Sequence, residues 1–75
     1  MNIDEFVNNL PVYKFDPPPE DWKECVNRIF DIEGSECSYA LLQKNLDHYG
    51  FNPSPEKLNE YFIRMKTIHR CRNLG

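Results

Sequence analysis

The sequence predicts an all-α fold, a small bundle of about four helices. Each long segment with a regular apolar pattern has helical spacing, i, i+3, i+4 and i+7, and none alternates with the period of two that marks a half-buried strand. The chain has 75 residues, of which 40% are hydrophobic and 28% charged, as expected for one small globular domain. A domain of this size has a thin core, which favours an interaction module over an enzyme.

The N-terminal part, residues 1–19, is predicted to be a short helix followed by a connector. The helix covers residues 2–10 and ends at Pro11. Its apolar stripe consists of Ile3, Phe6, Val7 and Leu10. Residues 11–19 contain four of the six prolines, so we expect an extended connector that places Pro18 or Pro19 in the first turn of the next helix. The stiff connector either folds the short helix back or presents it to a neighbouring molecule.

Residues 20–75 are predicted to form the helical domain. A first helix begins at Glu20, and its stripe consists of Trp22, Cys25, Val26, Ile29 and Phe30. A polar turn follows over residues 31–36. The stripe of a second helix consists of Tyr39, Leu42, Leu46 and Tyr49, and Gly50 is its expected C′ residue.

The start of a third helix is marked by Ser54 as the N-cap and Pro55 at the first helical position. This helix is predicted to end near residue 69. Its buried face consists of Leu58, Tyr61, Phe62, Met65 and Ile68. The predicted core of the domain is Trp22, Val26, Ile29, Phe30, Leu42, Leu46, Leu58, Tyr61, Phe62 and Met65.

The residues that carry chemistry are few. Three cysteines, with no C-x-x-C spacing, and two distant histidines predict neither a disulfide framework nor a metal site. No catalytic motif or glycine-rich phosphate loop is present, so we predict no enzymatic activity and no cofactor. No apolar run approaches the ~20 residues of a membrane span, so we expect an intracellular, cytoplasmic protein without membrane contact.

The charge is distributed unevenly along the chain. Residues 1–50 carry ten acidic and four basic residues, whereas residues 51–75 carry two acidic and five basic ones. The basic C-terminal side chains, with one histidine, are Arg64, Lys66, His69, Arg70 and Arg72. A small helical regulator that contacts a transcription or replication machine through protein is an alternative. The basic side chains can also face phosphates directly, although basic residues stabilise a helix C-terminus in any case and the whole chain is acidic. Direct nucleic-acid binding is therefore not the favoured interpretation.

Two motifs resemble the EF-hand superfamily of calmodulin and the myosin light chains. Residues 30–35 read F-D-I-E-G-S, similar to the start of a calcium loop after a helix that ends in Phe, and residues 50–58 read G-F-N-P-S-P-E-K-L, similar to the link between two hands. Glu36-Cys37-Ser38 also resembles the first hand of calpain-type penta-EF proteins. The resemblance covers residues 20–66 and implies a degenerate, truncated EF-hand unit whose second hand is not complete in this chain.

The resemblance also implies a mode of action. EF-hand lobes that no longer use calcium hold an amphipathic helix in an apolar groove, and such a groove needs aromatic or flexible anchors. The predicted partner-binding residues are Phe6, Leu41, Tyr49, Phe51, Tyr61, Phe62, Ile63 and Met65, with Leu41 and Ile63 expected to be exposed. The partner is expected to be an amphipathic helix of another protein or a second copy of the chain.

We predict that the loop does not bind calcium with sensor-range affinity. Asp31, Glu33 and Ser35 would supply oxygens at loop positions 1, 3 and 5, but Leu42 stands at position 12, where calcium needs a bidentate carboxylate. Titration calorimetry of the metal-stripped protein should therefore show no micromolar calcium isotherm. A saturable micromolar isotherm would contradict the prediction.

Overall fold

The computed structural model describes residues 8–74, which form three helices preceded by a proline-rich segment. Helix α1 spans Trp22–Glu33, α2 spans Tyr39–His48 and α3 spans Pro55–Leu74, with a 3₁₀ turn at Gly34–Glu36 between α1 and α2. No strand occurs between residues 8 and 74. The all-α prediction is thus confirmed. The predicted helix over residues 2–10, with Phe6, lies largely outside the described residues.

Helix α1 begins at Trp22, two residues later than predicted, because Asp21 caps it. The Asp21 carboxylate accepts the backbone N–H of Glu24 at 2.8 Å, and the Glu24 carboxylate accepts the backbone N–H of Glu20 at 2.6 Å. The first bond satisfies an N–H group that the helix start would leave without a partner, and the second ties the residue before the cap to the first helical turn. The prediction that Pro18 or Pro19 lies in the first helical turn is therefore wrong, since both precede the cap.

Glycines end α1 and α2. Helix α1 continues to Glu33, three residues into the predicted polar turn, and ends where Gly34 adopts φ +68°. Beyond α2, the N–H of Gly50 donates to the carbonyl of Asp47 at 3.1 Å, and the next N–H donates to the carbonyl of Leu46 at 2.9 Å. This is a Schellman motif, and φ +79° at Gly50 confirms its predicted C′ position.

The start of α3 also follows the prediction. The Ser54 hydroxyl accepts the backbone N–H of Lys57 at 3.3 Å, and Pro55 is the first helical residue. The helix extends five residues beyond the predicted end at residue 69.

The core lies where the three helices meet. Of the ten predicted core residues, six are buried: Val26, Ile29, Phe30, Leu42, Leu46 and Leu58. The other four, Trp22, Tyr61, Phe62 and Met65, are half-buried and pack against its edge. Ile68, predicted on the buried face of α3, is 39% exposed. The next residue, His69, is buried instead and stacks on Phe30 with ring centroids 5.3 Å apart.

An extended segment, residues 10–17, crosses α1 and α2, and we call it the strap. Asn45, whose side chain is fully buried on α2, binds the strap with both ends of its amide. The amide oxygen accepts the backbone N–H of Tyr13 at 2.8 Å. The amide nitrogen donates to the carbonyl of Pro11 at 3.1 Å and to the carbonyl of Leu41, within α2, at 2.9 Å. The amide therefore has no unsatisfied hydrogen-bonding group.

Tyr49, one helical turn after Asn45, continues these contacts along the strap. Its hydroxyl donates to the carbonyl of Tyr13 at 2.6 Å and accepts the backbone N–H of Phe15 at 2.9 Å. Alternate residues of an extended chain point the same way, so two side chains one turn apart on α2 bind the backbone of residues 11, 13 and 15. The strap is thus held much as a strand is held by its neighbour in a sheet.

Helix α1 binds the other side of the strap. The hydroxyl of Tyr13 is hydrogen-bonded to the carboxylate of Glu33, and the Arg28 guanidinium donates to the carbonyl of Pro17. The same guanidinium lies 5.5 Å from the ring centroid of Phe15. The predicted connector is therefore extended, as expected, and is also packed against the helical domain.

The strap explains why one predicted surface residue is buried. Leu41 was expected to be exposed and to contact a partner, but it is only 4% exposed. Leu41, Asn45 and Tyr49 are spaced by four, so they share one side of α2, the side that the strap covers. The predicted exposure of Leu41 is therefore wrong.

Replacing the buried amide should loosen the strap. We expect Asn45→Ala to lower the free energy of unfolding by about 2–4 kcal/mol, because it leaves buried N–H and C=O groups without partners. The measurement is urea unfolding followed by circular dichroism at 222 nm.

Asn59→Ala is the matched control for this variant. Asn59 is exposed on α3, and its replacement brings the same gain in helix propensity without breaking a buried contact. Equal stability of the two variants would show that Asn45 does not hold the strap.

Candidate functional site

A groove of about 430 Å³ lies between α2 and the link that leads into α3. One wall is a side of α2 whose residues recur every three or four positions, namely Tyr39, Ala40, Gln43, Lys44 and Asp47. The other wall consists of Phe51, Asn52, Pro53 and Pro55, with the core residues Leu46 and Leu58 between the two walls. The groove thus has an apolar floor with polar side chains on its α2 rim.

The two aromatic residues of the groove are held in place by packing. Phe51 is the last residue of the Schellman motif and stacks on Tyr49 with ring centroids 6.3 Å apart. Tyr39 meets Phe62 edge to face at 5.5 Å. Aromatic pairs of this kind stabilise a structure beyond the burial of their apolar area. Both rings are therefore fixed before any ligand binds.

Lys44 joins the groove to the chain just before and at the start of the strap. The Lys44 ammonium donates to the carbonyls of Asn8 at 2.8 Å and Leu10 at 2.7 Å, and Asn8 itself lines the groove. The rim also carries Gln43 and Asp47, both exposed and on the same side of α2.

The predicted partner-binding residues do not form one surface. Of those within the described chain, only Phe51 lines the groove. Tyr49 binds the strap, and the Tyr61 hydroxyl donates to the side-chain oxygen of Asn27 at 2.8 Å. Their role in partner binding remains a prediction.

The remaining predicted residues lie on α3. Phe62 packs between Tyr39 and Phe30, with centroids 5.5 and 5.9 Å away, and Met65 is half-buried against the core. Ile63 is 56% exposed, as expected, but lies outside the groove.

Sequence reasoning missed the α2 wall with Tyr39 and Gln43, although their spacing of four is a helical signal.

The three residues predicted to supply loop oxygens lie at the end of α1 and in the turn after it. Asp31 is exposed in the last turn of α1, Glu33 binds the hydroxyl of Tyr13, and Ser35 lies in the 3₁₀ turn. Across residues 8–74, no three histidine, cysteine or acidic side chains are grouped so as to hold a metal ion. Calcium binding remains a matter for the titration above.

The basic residues near the C-terminus are also dispersed. His69 is buried, and Lys66 donates to the carbonyl of Cys37 at 3.3 Å while its ammonium lies 5.1 Å from the centroid of Phe62. Arg64 and Arg70 line two different concavities. The five residues of the nucleic-acid alternative therefore do not form one patch.

No protein-family model, curated protein or solved structure matches this chain. Among the helices of the described part, none is both long and apolar enough to cross a lipid bilayer. The groove and its surroundings are therefore the basis for a proposal on function.

Two of the three thiols are held in the neutral form. Burial raises the pKa of Cys25 to about 11, an effect that Arg28 opposes and Glu24 reinforces. Burial raises the pKa of Cys37 to about 12, with a further increase from Glu33 and a decrease from Lys66. Because the thiolate is the nucleophile, both side chains are inert at neutral pH.

We expect one thiol of the native protein, that of exposed Cys71, to react with an aromatic disulfide reagent at pH 8. Cys25 and Cys37 should react only after denaturation, because they are fully buried and protonated. Absorbance of the released thiolate gives the count, and Cys71→Ser should bring the native count to zero. Rapid reaction of more than one thiol in the folded protein would contradict the assignment.

Proposed function

We propose that the chain is a non-enzymatic, calcium-independent, EF-hand-like interaction module that binds an amphipathic helix in the groove between α2 and the link. The observation that carries the proposal is the groove itself, with an apolar floor, two fixed aromatic rings and a polar rim. Helix-in-groove recognition uses these parts, because apolar anchors enter the groove while the polar face of the helix meets the rim. The partner helix belongs to another protein or to a second copy of the chain.

The exposed side chains on the rim suit the polar face of a helix. Gln43 and Asp47 lie four positions apart on the α2 wall, and the amide of Gln43 both donates and accepts hydrogen bonds. The groove walls are positioned by the Schellman motif and the strap, so little ordering is needed on binding. The helix–turn–helix order of α1 and α2 supports the EF-hand-like part of the proposal.

Site-specific crosslinking tests where the partner binds. A photo-reactive amino acid at Gln43, in the full chain, should crosslink in extract of the source cells to a segment with apolar residues at i, i+3, i+4 and i+7. Mass spectrometry identifies the segment, and a synthetic peptide of the same sequence should become helical on binding. Crosslinks that map only to residues 1–7 of the same molecule would contradict partner binding.

A charge placed in the groove should weaken that peptide's binding. We expect Ala40→Glu to raise Kd about tenfold or more, because the bound helix would bury a carboxylate without a partner. Asn59→Glu, on an exposed part of α3 outside the groove, adds the same charge and should leave Kd unchanged. Equal effects of the two variants would place the binding site elsewhere.

A further inference from the structure

A second concavity, of about 390 Å³, lies between the start of α1 and the first half of α3. Its lining residues are Trp22, Lys23, Lys57, Glu60, Tyr61 and Arg64. The four residues from α3 are spaced by three and four, so they share one side of the helix and face the start of α1. Its volume falls within the ~300–1,000 Å³ of small-molecule sites.

This concavity gathers positive charge that the protein does not neutralise. Three cations and one carboxylate line it, and in the described part of the chain Lys23, Lys57 and Arg64 form no ion pair. The Lys23 ammonium lies 5.7 Å from the ring centroid of Trp22 and 5.8 Å from that of Tyr61. Like charges held together repel one another, so a bound anion would stabilise this arrangement.

The same concavity has a fixed aromatic wall. Trp22 and Tyr61 meet edge to face with centroids 5.4 Å apart, and the Tyr61 hydroxyl is anchored on Asn27 at 2.8 Å. Trp22 is only half-buried, so part of its indole is available to a ligand. A flat π surface beside cations is the combination on which nucleic-acid bases stack, at ~1–3 kcal/mol per base.

We propose that this concavity binds a nucleotide unit, with the phosphate on Lys57 and Arg64 and the base against Trp22. Inorganic phosphate would leave the accessible part of the indole uncovered, and an uncharged aromatic ligand would leave the cations without an anion. A nucleotide satisfies both. The unit is either a free mononucleotide or part of a single strand, since both offer the same base and phosphate. The site is separate from the groove and does not depend on the function proposed for it.

The single tryptophan of the chain gives a direct test. Fluorescence of Trp22 in the full-length protein is titrated with adenosine monophosphate, with a short single-stranded oligoadenylate and with inorganic phosphate. We expect saturable quenching by a nucleotide, because stacking on the indole changes its emission. If the mononucleotide saturates the quenching with the same Kd as the oligonucleotide, the ligand is a free nucleotide. If only the oligonucleotide saturates it, the ligand is a single strand.

Two matched variants locate the phosphate. Arg64→Gln should raise Kd about fivefold to tenfold, since a charge-assisted hydrogen bond is lost. Arg70→Gln makes the same change on the same helix, in another concavity, and should leave Kd unchanged. Circular dichroism checks that both variants keep their helices.

Three results would overturn the proposal. The first is that Trp22 emission stays unchanged with adenosine monophosphate and with the oligoadenylate up to millimolar concentration. The second is equal weakening by Arg64→Gln and Arg70→Gln, which would indicate diffuse electrostatic attraction. The third is binding of inorganic phosphate as tight as that of the nucleotide, which would show a simple anion site without base stacking.

Discussion

The fold depends on the buried amide of Asn45, which joins an extended strap to a helix. A buried amide without partners costs ~1–3 kcal/mol, but here the oxygen and both N–H groups are satisfied by the backbone at residues 11, 13 and 41. The arrangement also fixes the register of the strap. A shift by one residue would turn the N–H of Tyr13 away from α2, because neighbouring residues of an extended chain face opposite sides.

A row of aromatic rings links the strap to the groove. Successive ring centroids are 6.0 Å apart from Tyr13 to Phe15, 6.1 Å from Phe15 to Tyr49 and 6.3 Å from Tyr49 to Phe51. Phe51 is the last ring of this row and a wall of the groove. The position of that wall therefore depends on the docking of residues more than thirty positions earlier in the chain, so the strap is part of the support of the candidate site.

Sequence reasoning predicted the elements whose determinants are local. The Ser54-Pro55 start of α3 and the Gly50 end of α2 depend on neighbouring residues, and both are observed. The strap, in contrast, docks through pairs such as Tyr13 and Asn45, which are 32 positions apart, and periodicity has no information on such pairs. The one sequence feature that pointed to the docked strap was Asn45, a polar residue midway between Leu41 and Tyr49 on one side of α2. The groove was predicted, but all of its lining except Phe51 was missed for the same reason, because its walls come from separate segments.

Helix α3 shows why a periodic stripe is a weaker guide for some helices than for others. Its neighbouring residues Lys57 and Leu58 line different concavities, since each step along a helix turns by about 100°. A helix between two concavities has two lateral faces that are neither core nor plain solvent surface. Its apolar residues are accordingly spread around the axis, and Ile63 is 56% exposed while His69 is buried. Burial along α3 therefore depends on which segments pack beside each turn. The spacing of apolar residues within α3 carries no information about those segments.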